Sequence, residues 1–196
     1  MRELLGELEG ALNAELYTLA LVGALAIPDI AGALESNNGE ATRARYEAWF
    51  DANVPPHLQA MQGGAQVGTP RPLNGANCYR FRCSLLHQGA IEDQKPDPTT
   101  YRRLIFVDPS GVTPWATVFG RPVKGWFVYT KEVRLGNGDL ALAIDLPLFC
   151  RAIVAAARGW LERVSGIEPF ETNLAKCVRR RPEGFPGWLT GMPVIA

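Results

Sequence analysis

Leu5, Leu8, Leu12, Leu16 and Leu19 recur at intervals of three and four residues near the start of this chain. That period is what a helix needs to bury one face, so the spacing predicts a long amphipathic helix over residues 2–26. Pro28 has no N–H to give and crowds the turn before it, so it is expected to end or kink this helix. A short helical piece follows through Ile30 and Leu34, and Asn37-Asn38-Gly39 reads as a turn. A second helix is expected over residues 40–53, with Tyr46, Trp49 and Phe50 on one side, until Pro55-Pro56 stops it. Residues 54–73 hold Gly63-Gly64 and four prolines and read as a loop. A third helix is expected at about residues 74–88, with Gly89 placed to cap it, and residues 90–100 read as an acidic loop.

Beyond residue 100 the pattern changes. Leu104-Ile105-Phe106-Val107 is a strand-like run, and Trp126-Phe127-Val128-Tyr129 is a second. Gly136-Asn137-Gly138-Asp139 reads as a hairpin turn into Leu140–Ile144. Asp145 then caps a fourth helix that tolerates Pro147 in its first turn, with Phe149, Ile153, Ala156, Trp160 and Val164 as its core face. Pro169, Pro182, Pro186 and Pro193 point to a tail that wraps over the surface. The expected fold is therefore mostly α with a small antiparallel β insertion, an α+β arrangement. A helical bundle over residues 1–166 would carry the strands at about 101–145, and the tail, 167–196, would pack on the same domain. A chain of 196 residues, 47% hydrophobic and 20% charged, suits one such domain with a real core.

A formal charge of zero hides an asymmetry: residues 1–60 carry nine acids and three bases, so the bases collect in the later part. That distribution could orient a polyanion or hold two copies together. Cys78, Cys83, Cys150 and Cys177 form no CxxC pair, which suits a reduced, cytoplasmic setting. The apolar run Leu16–Ile27 falls short of the roughly 20 residues a membrane span takes. Glutamates rather than bases precede it, so neither export nor a membrane span is expected.

The chemistry concentrates in Tyr79-Arg80-Phe81-Arg82-Cys83-Ser84-Leu85-Leu86-His87-Gln88-Gly89. On a helical wheel Arg80 and His87 lie about 20° apart, so Arg80, Cys83, Ser84 and His87 share one face. Arg82 sits about 140° from His87, at the edge of the apolar side formed by Tyr79, Phe81, Leu85 and Leu86. Arginine grips phosphate oxygens in two places, and histidine exchanges a proton near neutrality.

An arginine, a short polar residue, three more residues and a histidine on a late bundle helix resemble the HEPN superfamily. Many of its members are ribonucleases marked by Arg, four to six residues, His. Arg82 to His87 fits the shortest spacing and Arg80 to His87 the longest; the residue after the arginine, often Asn in the family, is Cys83 here. The resemblance covers the third helix well and the helical frame loosely, with the sheet as an insertion. It implies a dimeric endoribonuclease without cofactor or metal, of the toxin–antitoxin or phage-defence kind, whose partners are a second copy, RNA and an antitoxin protein. His87 would transfer the proton, Arg82 or Arg80 would clamp phosphate, and Ser84 would support them. The alternatives are a non-catalytic HEPN-like module for dimerisation or RNA binding, and a small-molecule sensor with a pocket lined by Trp115, Trp126 or Phe127.

Other groups carry weaker patterns. Cys78, Cys83 and His87, joined by Cys177, could suggest zinc, but Cys78 falls about 140° from Cys83 on the wheel. Lys176, Arg179, Arg180 and Arg181 form a basic cluster beside Phe185 and Trp188, suited to gripping a phosphate backbone. His57 falls in a loop, and Asp29, Glu35 and Glu40 flank Pro28 without acid/base spacing. No Gly-rich phosphate loop precedes a helix, and no serine nucleophile elbow is present, which disfavours nucleotide and serine hydrolases.

Overall fold

The computed structural model describes residues 1–61, 73–89, 101–108, 116–118, 121–123, 130–136, 138–185, 187 and 189–195. The expected strand at Trp126–Tyr129, the loop at 90–100 and Trp115 lie outside them. The fold is mostly helical with a few short strands, as the apolar periodicities predict.

The leucine stripe forms two helices instead of one. α1 (Arg2–Asn13) stops at Ala14, and α2 (Tyr17–Leu34) begins after Glu15, whose φ of 57° breaks the helical path. Leu5, Leu8 and Leu12 are buried, whereas Leu16 and Leu19 stand 54% and 61% exposed. The stripe therefore ends at the chain turn, and the last two leucines fit its spacing without serving the core. Nor does Pro28 end α2. It lies inside the helix and is buried with Ile27, Ala24 and Ala31, so tertiary packing holds the helix across the missing hydrogen bond.

Among the described helices α2 alone is long and apolar enough to cross a membrane, and half of that stretch is buried within the protein. It packs on α1 and on four helices that follow. These are α3 (Arg43–Asn53), α5 (Gly75–Gln88), α6 (Leu146–Val164) and α7 (Phe170–Leu174). Thr42 caps α3 by accepting a hydrogen bond from Arg45 N, and Tyr46, Trp49 and Phe50 turn into the core. Pro55 does more than stop α3: it opens α4 (Pro55–Met61), in the first-turn position where a missing N–H costs nothing. The expected loop at 54–73 therefore begins as a helix, and His57 sits in its first turn.

The sheet is mixed rather than antiparallel. β1 (Arg103–Val107) runs parallel to β5 (Leu140–Asp145), and β4 (Thr130–Arg134) pairs antiparallel on the other side of β5 through the expected hairpin. β5 is the centre strand, which explains its unbroken apolar run: Ala141, Leu142, Ala143 and Ile144 are all buried. A separate antiparallel pair joins β2 (Ala116–Val118) and β3 (Arg121–Val123). Asp145 ends β5 and caps α6, accepting from Leu148 N at 2.8 Å. Phe149, Ile153, Ala156 and Trp160 form the core face of α6 as expected, with Val164 half-buried at its edge.

The tail carries α7 and the short strands β6 (Arg180–Arg181), β7 (Gly184–Phe185), β8 (Leu189–Thr190) and β9 (Val194–Ile195), paired β6–β9 and β7–β8. Asn173 of α7 is buried and donates to Leu34 O and Ser36 O, closing the C-terminal end of α2.

α3 and α5 approach so closely that a Cβ on Gly75 would lie 2.6 Å from the Cα and carbonyl oxygen of Glu47. Backbone cannot yield as a side chain can. Gly75→Ala is expected to destabilise the fold by about 1–3 kcal/mol in urea unfolding, despite the better helix propensity of alanine. Gly6→Ala in α1, where a new Cβ meets nothing within 4 Å, is expected to be neutral or stabilising by up to about 1 kcal/mol.

Candidate functional site

α5 is fixed at both ends by local chemistry. Asn74 accepts from Asn77 N at 2.9 Å, and the Asp51 carboxylate of α3 accepts from Gly75 N at 2.7 Å. Gly89, at φ 62°, closes the C-terminus, as its position after the last apolar residue predicts. Between these caps a stripe of Asn77, Cys78, Phe81 and Ser84 is buried at three- and four-residue spacing. Phe81 packs on Phe106 of β1, which in turn packs on Phe149 of α6. The helix is thus held between the bundle and the sheet.

That packing changes the expected polar face. Ser84 does not share an accessible face with His87; it is 7% exposed and belongs to the stripe facing the core, one turn beyond Phe81. His87 is exposed on the last turn, where a helix C-terminus favours positive charge. The guanidinium that reaches it is that of Arg82, with Nη1 3.5 Å from His87 Nε2 and 3.8 Å from Cys83 Sγ. Arg80 is half-buried. The wheel placed Arg80 beside His87 and Arg82 apart because it records Cα directions only. The long Arg82 side chain spans the final turn and closes that angle. For Arg82 to donate to Nε2, the imidazole must be neutral with its hydrogen on Nδ1.

Arg82 has a second partner that the sequence reading left without a role. Its Nε lies 2.7 Å from Oδ2 of Asp29 on α2, with the two side chains 21% and 15% exposed. The N–H is not aimed along that line, so the contact is an ion pair more than a directed hydrogen bond. Burial pushes the Asp29 carboxyl above 3.8, and the Arg82 charge offsets only part of that rise. On Arg82, the Asp29 carboxylate and Cys83 together outweigh the opposing effect of burial and hold the guanidinium more firmly protonated than usual. One sequence signal could have found Asp29: it is the only charged residue between Tyr17 and Leu34. A lone charge on a core helix requires a partner.

Around this pair lie Tyr46 and Tyr79, edge to face at 5.3 Å, with the Arg43 guanidinium 5.7 Å from the Tyr79 ring centre. Arg43 is also paired with Glu47 at 2.6 Å. The Tyr46 hydroxyl is buried without a hydrogen-bond partner, and burial pushes its pKa well above 10. The arrangement offers a guanidinium and an exposed imidazole side by side, backed by a carboxylate and a phenol. Such a pair can bind an oxyanion and exchange one proton with it.

The other candidates are elsewhere. Cys78 is fully buried and faces the core, away from Cys83 and His87, so the zinc arrangement is not formed. Among the described residues no three His, Cys, Asp or Glu side chains gather to hold a metal. Lys176, Arg179 and Arg180 are exposed and Arg181 is half-buried; Arg180 N donates to Glu3 Oε2 at 3.4 Å, which ties this basic segment to the start of α1.

The Asp29 titration has a consequence for stability. The folded chain holds that proton more tightly than the unfolded chain does. Its contribution is therefore full below pH 3.8 and is lost as pH rises through the raised folded value. Asp29→Asn removes this titration. Urea unfolding at a series of pH values is expected to show wild-type stability falling, relative to the Asn variant, as pH rises through that window; a relative increase would mean that Arg82 outweighs burial.

No family model, curated protein or solved structure matches this chain.

Proposed function

We propose that this protein is a HEPN-like, metal-independent endoribonuclease that works as a homodimer in a toxin–antitoxin or phage-defence system. The observation that carries the reading is the contact between Arg82 and His87, five residues apart on a late bundle helix, with His87 exposed. Arg82 is the phosphate clamp and His87 the proton-transfer residue. Ser84, being buried, acts on the packing of α5 and not on substrate.

RNA carries its own nucleophile. As Arg82 turns to the phosphate, His87 Nε2 is released from it and takes the proton of a 2′-hydroxyl while that oxygen attacks the adjacent phosphorus. The bond to the 5′-oxygen then breaks, and that oxygen receives a proton, leaving a 2′,3′-cyclic phosphate. Arg82 offsets the charge that builds on the phosphate oxygens. One imidazole cannot be base and acid in the same protonation state, so a second copy of His87 across a two-fold groove supplies the second proton. No step calls on a metal. The described cysteines are free thiols, which suits a cytoplasmic, reducing compartment. An antitoxin protein would cover the same groove.

The second reading is a non-catalytic, HEPN-like dimerisation or RNA-binding module, favoured by the Asp29 contact: Arg82 is already neutralised in part before any phosphate arrives. Cleavage separates the two. Mixed single-stranded RNA incubated in EDTA with wild type is expected to yield cyclic-phosphate ends. His87→Ala and Arg82→Gln are each expected to slow this by about 10²–10⁴-fold. Equal cleavage by His87→Ala, or none by a folded wild-type dimer, would leave the binding module as the answer.

A further inference from the structure

A groove of about 380 Å³ opens where α2, α3 and α6 meet, and the ribonuclease reading makes no use of it. Ala48 and Trp49 of α3 and Trp160 of α6 contribute its apolar lining, and Arg45, Arg163 and Glu35 its charges. Arg43 and Glu47, which lie beside Tyr79, project from the opposite side of α3, so the groove is separate from the Arg82–His87 pair. Gly32 sets its width: a Cβ there would stand 2.9 Å from Arg45 Cβ, so α2 and α3 touch at the groove wall.

The polar groups of this lining are unbalanced. Arg45 donates to the Glu40 carbonyl and to Asn38 Oδ1, and Arg163 donates to the Gly159 carbonyl and to Asn53 Oδ1. All four acceptors are neutral. These bonds hold the guanidiniums in place without cancelling their charge, whereas the guanidiniums of Arg43, Arg82 and Arg158 each meet a carboxylate. Trp49 and Trp160 stand edge to face at 5.9 Å, and the Nε1 atom of each is buried without an acceptor. Against these donors the lining offers one carboxylate, Glu35, on an exposed turn.

We infer that this groove binds a small organic oxyanion, a phosphate monoester or carboxylate on a compact apolar body. Arg163 takes the anionic head through charge-assisted hydrogen bonds, Arg45 adds its charge from the other end of α3, and Ala48 with the small exposed parts of Trp49 and Trp160 takes the body. The volume accommodates one ring and its anionic group. Glu35 lowers the affinity for anions and favours ligands whose charge is confined to one end.

The test is calorimetric titration of the full chain with phenyl phosphate, with phenol as the neutral control. Saturable binding of phenyl phosphate and none of phenol is expected. Arg163→Gln and Ala48→Glu, the second an exposed position that keeps both arginines, are each expected to weaken it at least about tenfold. Glu35→Gln is expected to tighten it. If Arg163→Gln does not fold, Ala48→Glu alone decides. The proposal is overturned if wild type shows no saturable binding, if phenol binds equally, or if a folded variant of either kind binds as wild type does. RNA cleavage by Arg163→Gln is expected to match wild type, so the two readings stand or fall separately.

Discussion

A single carboxylate on the central helix governs how this protein is put together. α2 is the element on which α1, α3, α5, α6 and α7 all pack, and along its length only Asp29 bears a charge. An isolated carboxylate in such surroundings is costly, and burial raises its pKa even with Arg82 beside it. The partner arrives from α5, whose buried stripe ends in the small polar Ser84. The Asp29–Arg82 pair adds a charged tie to the packing that already holds α5, and His87 lies on the last turn beyond it.

The sheet supports the same helix from the far side. Phe81, Phe106 and Phe149 form a chain of ring contacts from α5 through β1 to α6. β1 takes that position by joining β5 in parallel, beside a centre strand already paired with β4. Asp145 then turns the last residue of β5 directly into α6, so strand and helix share one rigid junction. The strands thus act as a brace between two bundle helices, a role that fits an insertion within a helical frame.

Features set by near neighbours were legible in the sequence. The start and stop of α5, the Asp145 cap and the Gly136–Asp139 turn each depend on a few adjacent side chains, and each lies where the residues imply. Features set by distant contacts were not. Leu16 and Leu19 continue the stripe arithmetically, but the break at Glu15 points them outward. Pro28 stays helical because neighbouring helices hold it, a context no window of residues contains. The parallel pairing of β1 depends on where the chain returns after about 30 residues. At the candidate site the type of residue was legible and the partnership was not. A wheel separates Arg82 from His87 and joins Arg80 to it, because side-chain length and the pull of Asp29 appear nowhere on a wheel.

The choice of arginine at position 82 follows from this geometry. Its Nε meets the Asp29 carboxylate and its Nη1 meets the His87 ring, so one planar group has a partner at each end. A lysine has a single nitrogen and could serve only one of these partners at close range. Retaining Asp29 costs stability at neutral pH, because the folded state would rather keep that carboxyl protonated. Burial energy alone would favour an apolar residue in its place. A chain that keeps the carboxylate and the guanidinium together holds a cation beside an exposed imidazole, at a cost in core stability.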